Sequence, residues 1–418
     1  MEAFNLFAVL TALAALFAWL NHKYIKLPTT IGLMVISMVF SIALLILGRL
    51  GAGLVAPLVV LISSVELDEA LLHGMLGALL FAGAQHVELN DLAEQKWIIL
   101  LLATTGVLVS ATTVAAGTFY IFRSLGMEVP FVTCLLFGSL IAPTDPIAVG
   151  SILRKLGVPT SLLTKITGES LFNDGVGVVL FLAVLGVAVG GHGVSVAEVA
   201  ELLVVEVGGG ILYGAALGWV VFRMLKSIDN YQVEILLTLA LVTAGYAFAA
   251  FIHVSGPLAM VVSGLMIGNQ GRTFAMSDLT RERLDAFWEL VDEFLNALLF
   301  VMIGVELLIL TLEGSYILAG LLTIPLVLGA RFISVAIPIV LRRPVREFSP
   351  HVIKILTWAG LRGGISVALA LSLPADQSRD LLLTVTYVVV SFSIIVQGLT
   401  VERLLSSLAG PAPETVVI

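Results

Sequence analysis

Three carboxylates lie in parts of the sequence that are otherwise apolar. Glu169 and Asp174 fall in the segment 168–181, and Asp145 lies upstream between two prolines. A charge near the centre of a bilayer costs about 2.5–3.5 kcal/mol on insertion scales. A chain that crosses a membrane does not keep several such charges without a use for them. These acids therefore predict a functional site at membrane depth.

Further oxygen-bearing side chains stand at helical spacing around these acids. Ser170 and Asp174 are four residues apart, as are Glu169 and Asn173, and such pairs are neighbours on a helix surface. One helix can therefore present a carboxylate with a hydroxyl and, on the adjacent face, a second carboxylate with an amide. Hard cations take oxygen ligands of these kinds, so the segment predicts a site for a monovalent cation.

The second half of the predicted site is a break in the preceding span. Pro146 has no N–H to donate and clashes with the carbonyl of Ala142, so a helix here should break around Thr144. Carbonyls freed at membrane depth are tolerated only where they line a cavity or are buried in protein. Thr144 and Asp145 are therefore expected to add ligands to the cation site.

A matching break is predicted at Gly360–Gly364, where the interrupted helix carries Arg362 instead of an acid. Arg331 is the second base that falls inside a predicted span. Because an isolated charge is costly at this depth, the buried acids and bases are expected to pair. Two interrupted spans in corresponding parts of two halves are typical of secondary transporters built from inverted repeats.

The composition shows what kind of elements must hold these residues. The chain is 59% hydrophobic and 12% charged, with a mean hydropathy of +1.10, which predicts an all-α polytopic membrane protein. Cys134 is the single cysteine and is expected to be a buried apolar filler.

Segment 51–66 is either a surface helix or an extra half-span, and 409–418 is expected to be a short disordered tail. The thirteen predicted spans are about 3–20, 29–49, 67–86, 96–122, 130–154, 162–190, 197–226, 231–252, 255–269, 284–309, 313–341, 350–373 and 379–407, of which 130–154 and 350–373 are the interrupted ones.

The basic residues predict how the spans are oriented. With the N-terminus outside, 16 of the 21 Lys and Arg residues fall in inside segments and 3 in outside segments. The positive-inside rule therefore predicts an outside N-terminus and a cytoplasmic C-terminus. Segment 277–290 is expected to be an interfacial helix start, with Trp288 in the interfacial belt and Asp292 on a solvated face. A retained first span without an organelle signal favours a prokaryotic inner membrane.

Three stretches resemble motifs of a known family. Ala142–Pro146, Gly168–Gly175 and Gly360–Gly364 are similar to those of the monovalent cation/proton antiporters of the NhaP/NHE type, and the resemblance covers nearly the whole chain. It implies that Asp174 binds either the cation or a proton. The other residues that it implies for the cation- and proton-binding site are Ser170, Glu169, Thr144, Asp145 and Asn173, of which Ser170, Glu169 and Thr144 are the implied Na⁺ ligands beside Asp174.

The resemblance also implies roles outside the ligand set. Arg331 is expected to pair with Glu169, and Arg362 to stabilise the crossing of the two broken helices. Asn173 before Asp174 resembles the pair found in electroneutral members. One antiporter domain, 1–408, is expected to form homodimers. Its core bundle would comprise 96–190 and 313–407, and its dimerisation scaffold 1–86 and 197–309.

The predicted function is secondary active exchange of Na⁺, or of Li⁺, for one proton, by alternating access, with a role in pH homeostasis. K⁺/H⁺ exchange by the same mechanism is the alternative. A cation channel fits the acids, but the arginines and broken repeats favour alternating access. An intramembrane aspartyl protease fits Asp145 and Asp174 on adjacent spans, but its Gly-x-Gly-Asp signature is missing.

The sequence also excludes several classes of activity. It contains no Walker loop, no dinucleotide fingerprint and no pair of histidines at metal-ligand spacing. We therefore expect no enzyme activity, no cofactor beside the transported cation and no nucleic-acid partner. The expected partners are the cation, the proton, membrane lipid and a second copy of the chain.

Overall fold

The computed structural model describes residues 2–49, 74–146, 149–150, 152–153, 158–190, 196–311, 313–343, 348, 351–374 and 378–409. Within these residues the chain is helical and contains no β-strand. The helices are α1 (Glu2–Leu20), α2 (Thr29–Arg49), α3 (Leu76–Gln85), α4 (Leu89–Leu101), α5 (Val107–Ser124), α6 (Phe131–Ile141), α7 (Thr160–Gly190), α8 (Val196–Leu225), α9 (Tyr231–Phe251), α10 (Gly256–Met266), α11 (Asp278–Glu306), α12 (Gly314–Arg342), α13 (Val352–Ala359), α14 (Gly364–Leu371), α15 (Arg379–Phe392) and α16 (Gly398–Ala409). A single turn, Arg272–Phe274, precedes α11, and π-helical turns occur at Asn21–Ile25, Leu102–Gly106, Ile267–Gly271 and Ser393–Gln397.

The prediction of an all-helical chain with many apolar helices is confirmed. In the described part of the chain, eight helical stretches are long and apolar enough to cross a membrane. They are Phe4–Ile25, Thr29–Gly48, Leu89–Ser124, Thr160–Val189, Val204–Leu225, Tyr231–Phe251, Gly314–Arg342 and Arg379–Ser407. Two shorter apolar helices, α3 and α6, accompany them. The predictions for 51–66 and 410–418 lie outside the described residues, while Ala409 is the last residue of α16.

Two helices begin earlier than the hydropathy of the sequence indicates. The span predicted at 96–122 starts at Leu89 and continues through a π-helical turn to Ser124. The span predicted at 284–309 starts at Asp278, where the Ser277 hydroxyl accepts the N–H of Thr280. Charged first turns are therefore parts of the same helices as the apolar spans, because their apolar faces pack inside the protein.

Trp288 shows how this packing overrides a prediction from residue type. Its indole is fully buried, contacts the ring of Phe81 and donates its N–H to Thr238 at 3.1 Å. The prediction that Trp288 lies in the interfacial belt was wrong, because Thr238 and Phe81 on neighbouring helices provide its indole with a buried hydrogen-bond acceptor and an aromatic contact. Trp19 and Trp97 are more than half exposed.

Both predicted helix interruptions are present. α6 ends at Ile141, ahead of Pro143 and Pro146, and the described residues beyond the break, 149–150 and 152–153, are helical again. The second interruption separates α13, which ends at Ala359, from α14, which begins at Gly364. Proline accounts for the first break, and a glycine-rich turn accounts for the second.

Segments that the orientation analysis assigned to one side contact each other. The side chain of Asn269 accepts the N–H of Leu89 and donates to the carbonyl of Val87, both at 2.9 Å. The Ser277 hydroxyl donates to Asp229 at 2.9 Å. These loops all lie on the predicted inside. At the predicted outside, the Thr311 hydroxyl donates to Asp380 at 2.8 Å.

The buried apolar side chains form three clusters. One cluster draws only on α3, α8 to α11 and the loops between them, with Phe81, Met260 and Trp288 among its fully buried members. A second draws on α4, α7, α12, α13, α16 and the residues beyond the α6 break, with Leu356 among its fully buried members. The third and largest contains residues from both sets as well as from α1 and α2.

Candidate ion-binding site

The two broken helices cross at their extended residues. The N–H of Asp145 donates to the carbonyl of Leu361 at 2.8 Å, an isolated antiparallel bridge. Gly363 lies directly against the side chain of Asp145, so a Cβ at position 363 would collide with that carboxylate. The crossing therefore holds one acid between two broken helices, and it needs a glycine to do so.

Arg362 stabilises this crossing from the other side. Its guanidinium donates to the carbonyls of Ala142 and Pro143, at 2.8 and 3.0 Å. These carbonyls follow the end of α6 and have lost their helical partners, and a cation at a helix C-terminus is favourable. With only 2% of its surface exposed, Arg362 is thus a buried charge whose hydrogen bonds satisfy a broken helix.

A π-helical turn fixes the backbone of the second break. The N–H of Arg362 donates to the Ser393 hydroxyl at 2.8 Å, and that hydroxyl donates to Gln397 at 2.7 Å. Gln397 in turn donates to the carbonyl of Trp358 at 3.1 Å. Ser393 and Gln397 bound the π-helical turn between α15 and α16, and both are buried. π-helical turns are frequent at functional sites, and this one satisfies backbone groups that the break leaves free.

α7 meets the first break through Thr144. The hydroxyls of Thr144 and Ser170 are 3.0 Å apart. The Asn173 amide forms two hydrogen bonds with Thr144: its nitrogen donates to the Thr144 hydroxyl at 2.8 Å, and its oxygen accepts the Thr144 N–H at 3.3 Å. All three residues are buried. Ser170 and Asn173 therefore position Thr144 at the edge of the break.

Asp174 lies in a cavity of about 380 Å³ that Thr144 and Asp145 also line. Only 6% of the surface of Asp174 is exposed. The cavity extends to His86 and Glu88, which are exposed in the loop between α3 and α4. An ion can therefore reach the buried Asp174 and the half-buried Asp145 from the end of the molecule where these loops lie.

Glu169 is on the same helix but does not line this cavity. Both of its carboxylate oxygens accept hydrogen bonds from the Arg331 guanidinium, one of them at 2.9 Å, and both residues are buried. Arg331 also donates to the carbonyl of Leu356 at 3.2 Å. The structure thus brings Thr144, Asp145 and Asp174 together, and directs Glu169 to an ion pair among α7, α12 and α13.

Asp292 and Ser366 are among the cavity residues that the sequence analysis missed. Asp292, on α11, lines the cavity and is half-buried, whereas the sequence analysis assigned it to a solvated face. Ser366, in the first turn of α14, also lines it. Neither residue has a sequence signal of its own, because a single acid on an amphipathic helix and a serine in an apolar span are both common.

The comparisons with known proteins agree with this arrangement. The family described as "Sodium/hydrogen exchanger, transmembrane" matches residues 10–407. The chain is 48% identical to the Na(+)/H(+) antiporter NhaP of Pseudomonas aeruginosa over 98% of each chain. It is 33% identical to the Na(+)/H(+) antiporter NhaH of Halobacillus dabanensis, over 92% of this chain and 93% of that protein.

A solved structure shows the same fold. The sodium proton antiporter MjNhaP1 of Methanocaldococcus jannaschii, determined at pH 8, superposes with a TM-score of 0.75 at 19% identity. The match covers 98% of this chain and 100% of that one. The crossed helices, the buried acids and these similarities define a multi-pass membrane transporter. The chain belongs to the sodium/hydrogen exchanger family.

Proposed function

We propose that this protein exchanges Na⁺ for protons across the membrane and that Asp174 binds both ions in turn. The observation that carries the proposal is the placement of Asp174. It is buried at membrane depth, in a cavity that also receives Asp145 and the Thr144 hydroxyl and that extends to exposed loops. Family membership and the names of the relatives point to the same pair of ions.

The mechanism is competition for one carboxylate. A carboxylate can hold a proton or coordinate a cation, but the two forms exclude each other. An empty, charged Asp174 is costly to carry across the bilayer, so the protein changes its accessible side only when the site is occupied. Each cycle then moves one Na⁺ one way and one proton the other. Lower pH should accordingly raise the Na⁺ concentration needed for half-maximal exchange.

The stoichiometry follows from the charges around Asp174. The residue before it is Asn173, whose neutral amide is hydrogen-bonded to Thr144 and does not titrate. Glu169 keeps Arg331 as its partner. In this proposal Asp174 is the carboxylate that titrates and Asp145 keeps its charge throughout the cycle, so one cation exchanges for one proton and the exchange is electroneutral.

The bundle assignment extends the same mechanism to the whole chain. Residues 96–190 and 313–407 form the moving core, because they contain the crossing, the Glu169–Arg331 pair and the apolar cluster of α4, α7, α12, α13 and α16. Residues 1–86 and 197–309 form the scaffold, within which the Trp288 cluster lies entirely, and scaffolds of two copies pair as a homodimer. The protein acts in the inner membrane with its N-terminus outside, an orientation that the distribution of basic residues supports.

The test is exchange by the purified protein in proteoliposomes. Addition of Na⁺ should collapse an imposed pH gradient, with no change when an ionophore clamps the voltage. Asp174→Asn should abolish exchange, whereas Glu289→Gln, which alters an exposed acid on α11, should leave it unchanged. Parallel runs with Li⁺ and K⁺ define the substrate. Normal exchange by Asp174→Asn would refute the proposal, and a response to K⁺ alone would retain the mechanism with another cation.

A further inference from the structure

The buried hydroxyl of Ser366 forms no hydrogen bond within the described part of the chain. It lies in the first turn of α14, only 1% of its surface is exposed, and among the described residues its Oγ has no hydrogen-bond partner. The side chain lines the cavity that contains Thr144, Asp145 and Asp174. Leaving a buried hydroxyl unpaired costs about 1–3 kcal/mol. A partner that comes and goes with the transport cycle would account for that cost.

The break in the second helix explains why Ser366 lacks an internal partner. Buried serines and threonines in helices usually donate to a carbonyl three or four residues back. Ser139 does so to Leu136 at 2.7 Å, and Thr118 to Val114 at 2.8 Å. For Ser366 the corresponding carbonyls belong to Arg362 and Gly363, which lie in the break before α14 rather than within a helix.

The position of α14 puts this hydroxyl beside the acids. Its N-cap residue, Gly363, lies directly against the Asp145 side chain, so the first turn of α14 borders the crossing. Thr144 and Asp174 reach the cavity from the first broken helix and from α7. Ser366 is thus the cavity hydroxyl that the second broken helix supplies.

We propose that Ser366 Oγ is a ligand of the transported Na⁺, an inference that rests on the proposed exchange at Asp174. Sodium takes hydroxyl and carboxylate oxygens together, whereas a proton needs only the carboxylate. A neutral hydroxyl therefore strengthens the binding of the cation without strengthening that of the proton. Through Ser366, the second broken helix contributes to the selectivity of the site for Na⁺ over the proton.

The experiment compares Ser366→Ala and Ser366→Thr with wild type in Na⁺ binding and in exchange. Removing the hydroxyl should weaken Na⁺ binding and raise the KM for Na⁺ about tenfold, the usual loss for an uncharged group that contacts a charge. The rate at saturating Na⁺ should stay near the wild-type value. Ser366→Thr keeps a hydroxyl and should retain most of the affinity.

A matched control is available on another helix. Ser110 on α5 is also buried, and its hydroxyl also has no partner among the described residues, but it does not line the cavity. Ser110→Ala should therefore leave Na⁺ affinity unchanged. The thermal stability of Ser366→Ala without Na⁺ should equal or exceed that of wild type, because the substitution removes an unpaired buried polar group. Its stabilisation by added Na⁺ should shrink.

Several results would overturn the inference. An unchanged Na⁺ KM in Ser366→Ala would do so, as would a lower saturating rate at unchanged KM, or a loss of stability without Na⁺, which indicates a structural role. Asp174→Asn separates this inference from the proposed function. If Asp174→Asn exchanges normally, the proposed function fails. If it is inactive while Ser366→Ala binds Na⁺ like wild type, only the role of Ser366 fails.

Discussion

Glu169 and Arg331 form an ion pair that is almost fully buried. The carboxylate is 1% exposed and the guanidinium side chain 7%, and two hydrogen bonds join them. Gly360 packs against the Arg331 guanidinium, so closely that a Cβ there would collide with it. Two buried charges with this geometry stabilise the fold only as a pair, since either one alone pays for its own desolvation.

Removing one charge of the Glu169–Arg331 pair should therefore destabilise the protein more than removing both charges. Glu169→Gln leaves Arg331 charged and unpaired, a change expected to destabilise the protein by about 3–5 kcal/mol. The double variant Glu169→Gln with Arg331→Met removes both charges and should recover much of that loss. Thermal unfolding of the purified protein in detergent measures both effects.

The exposed pair of Arg272 and Asp285 provides the control. Their side chains are 41% and 34% exposed. Asp285→Asn should change stability by less than about 1 kcal/mol, because water screens an exposed pair. A Glu169→Gln variant as stable as Asp285→Asn would show that the buried pair does not hold α7 to α12.

At the scale of the elements, the crossing depends on contacts between residues that are far apart in sequence. α6 and α14 approach through Asp145, Leu361 and Gly363, while Arg362 occupies the carbonyls at the end of α6. The sequence predicted both breaks, because proline and glycine act on the backbone locally. It did not predict that the N–H of Asp145 would pair with Leu361, since that bond exists only once the two helices cross.

The space at Gly363 yields a prediction about this element. In Gly363→Ala the new methyl group would collide with the Asp145 carboxylate, so α14 or Asp145 must shift. Because a misplaced catalytic or binding group costs about 100-fold in rate for shifts near 1 Å, exchange should fall by at least tenfold. The initial rate of Na⁺-driven pH change at equal protein content measures it.

Gly186→Ala is the matched variant. It lies on α7, and a Cβ there would meet nothing within 4 Å. Its exchange rate should match wild type, and its stability should rise slightly because alanine favours the helix. Equal activity of the two alanine variants would mean that the contact between Gly363 and Asp145 does not matter for transport.

At the scale of the molecule, the cavity opens toward one end of the protein. It extends from Asp174 to His86 and Glu88 and to Thr160 at the start of α7, all in segments that the basic residues assign to the cytoplasm. In the proposed orientation the cavity opens toward the cytoplasm, which corresponds to an inward-facing state. Asp292 adds an acid to the cavity from α11, which belongs to the proposed scaffold. Its charge should raise the local concentration of cations near the site.

Single-cysteine labelling tests the orientation. Cys134 is the only native cysteine and is fully buried, so an introduced cysteine reports alone. Thr160→Cys should react with a membrane-impermeant thiol reagent in inside-out vesicles and be protected in intact cells. Ser315→Cys, at the start of α12, should show the opposite behaviour. Both residues are exposed. The reverse pattern would invert the proposed topology.

The sequence by itself determined the class of this protein. Runs of apolar residues form membrane helices because they insert into the bilayer at low free-energy cost. A carboxylate within such a run is costly to insert, so Asp145, Glu169 and Asp174 indicate a functional site. Proline and glycine fix the breaks within a few residues. These effects are local, so they can be predicted from neighbouring residues along the chain.

Only the tertiary structure decided which side chains share the cavity. Glu169 and Asp174 are five residues apart and so about 140° apart around α7, but the sequence cannot tell which face meets the cavity. Packing against Arg331 takes Glu169 away, and the crossing brings in Ser366 and Asp292. The direction in which a buried side chain points depends on helices distant in sequence, and their positions are set by the packing of the whole molecule.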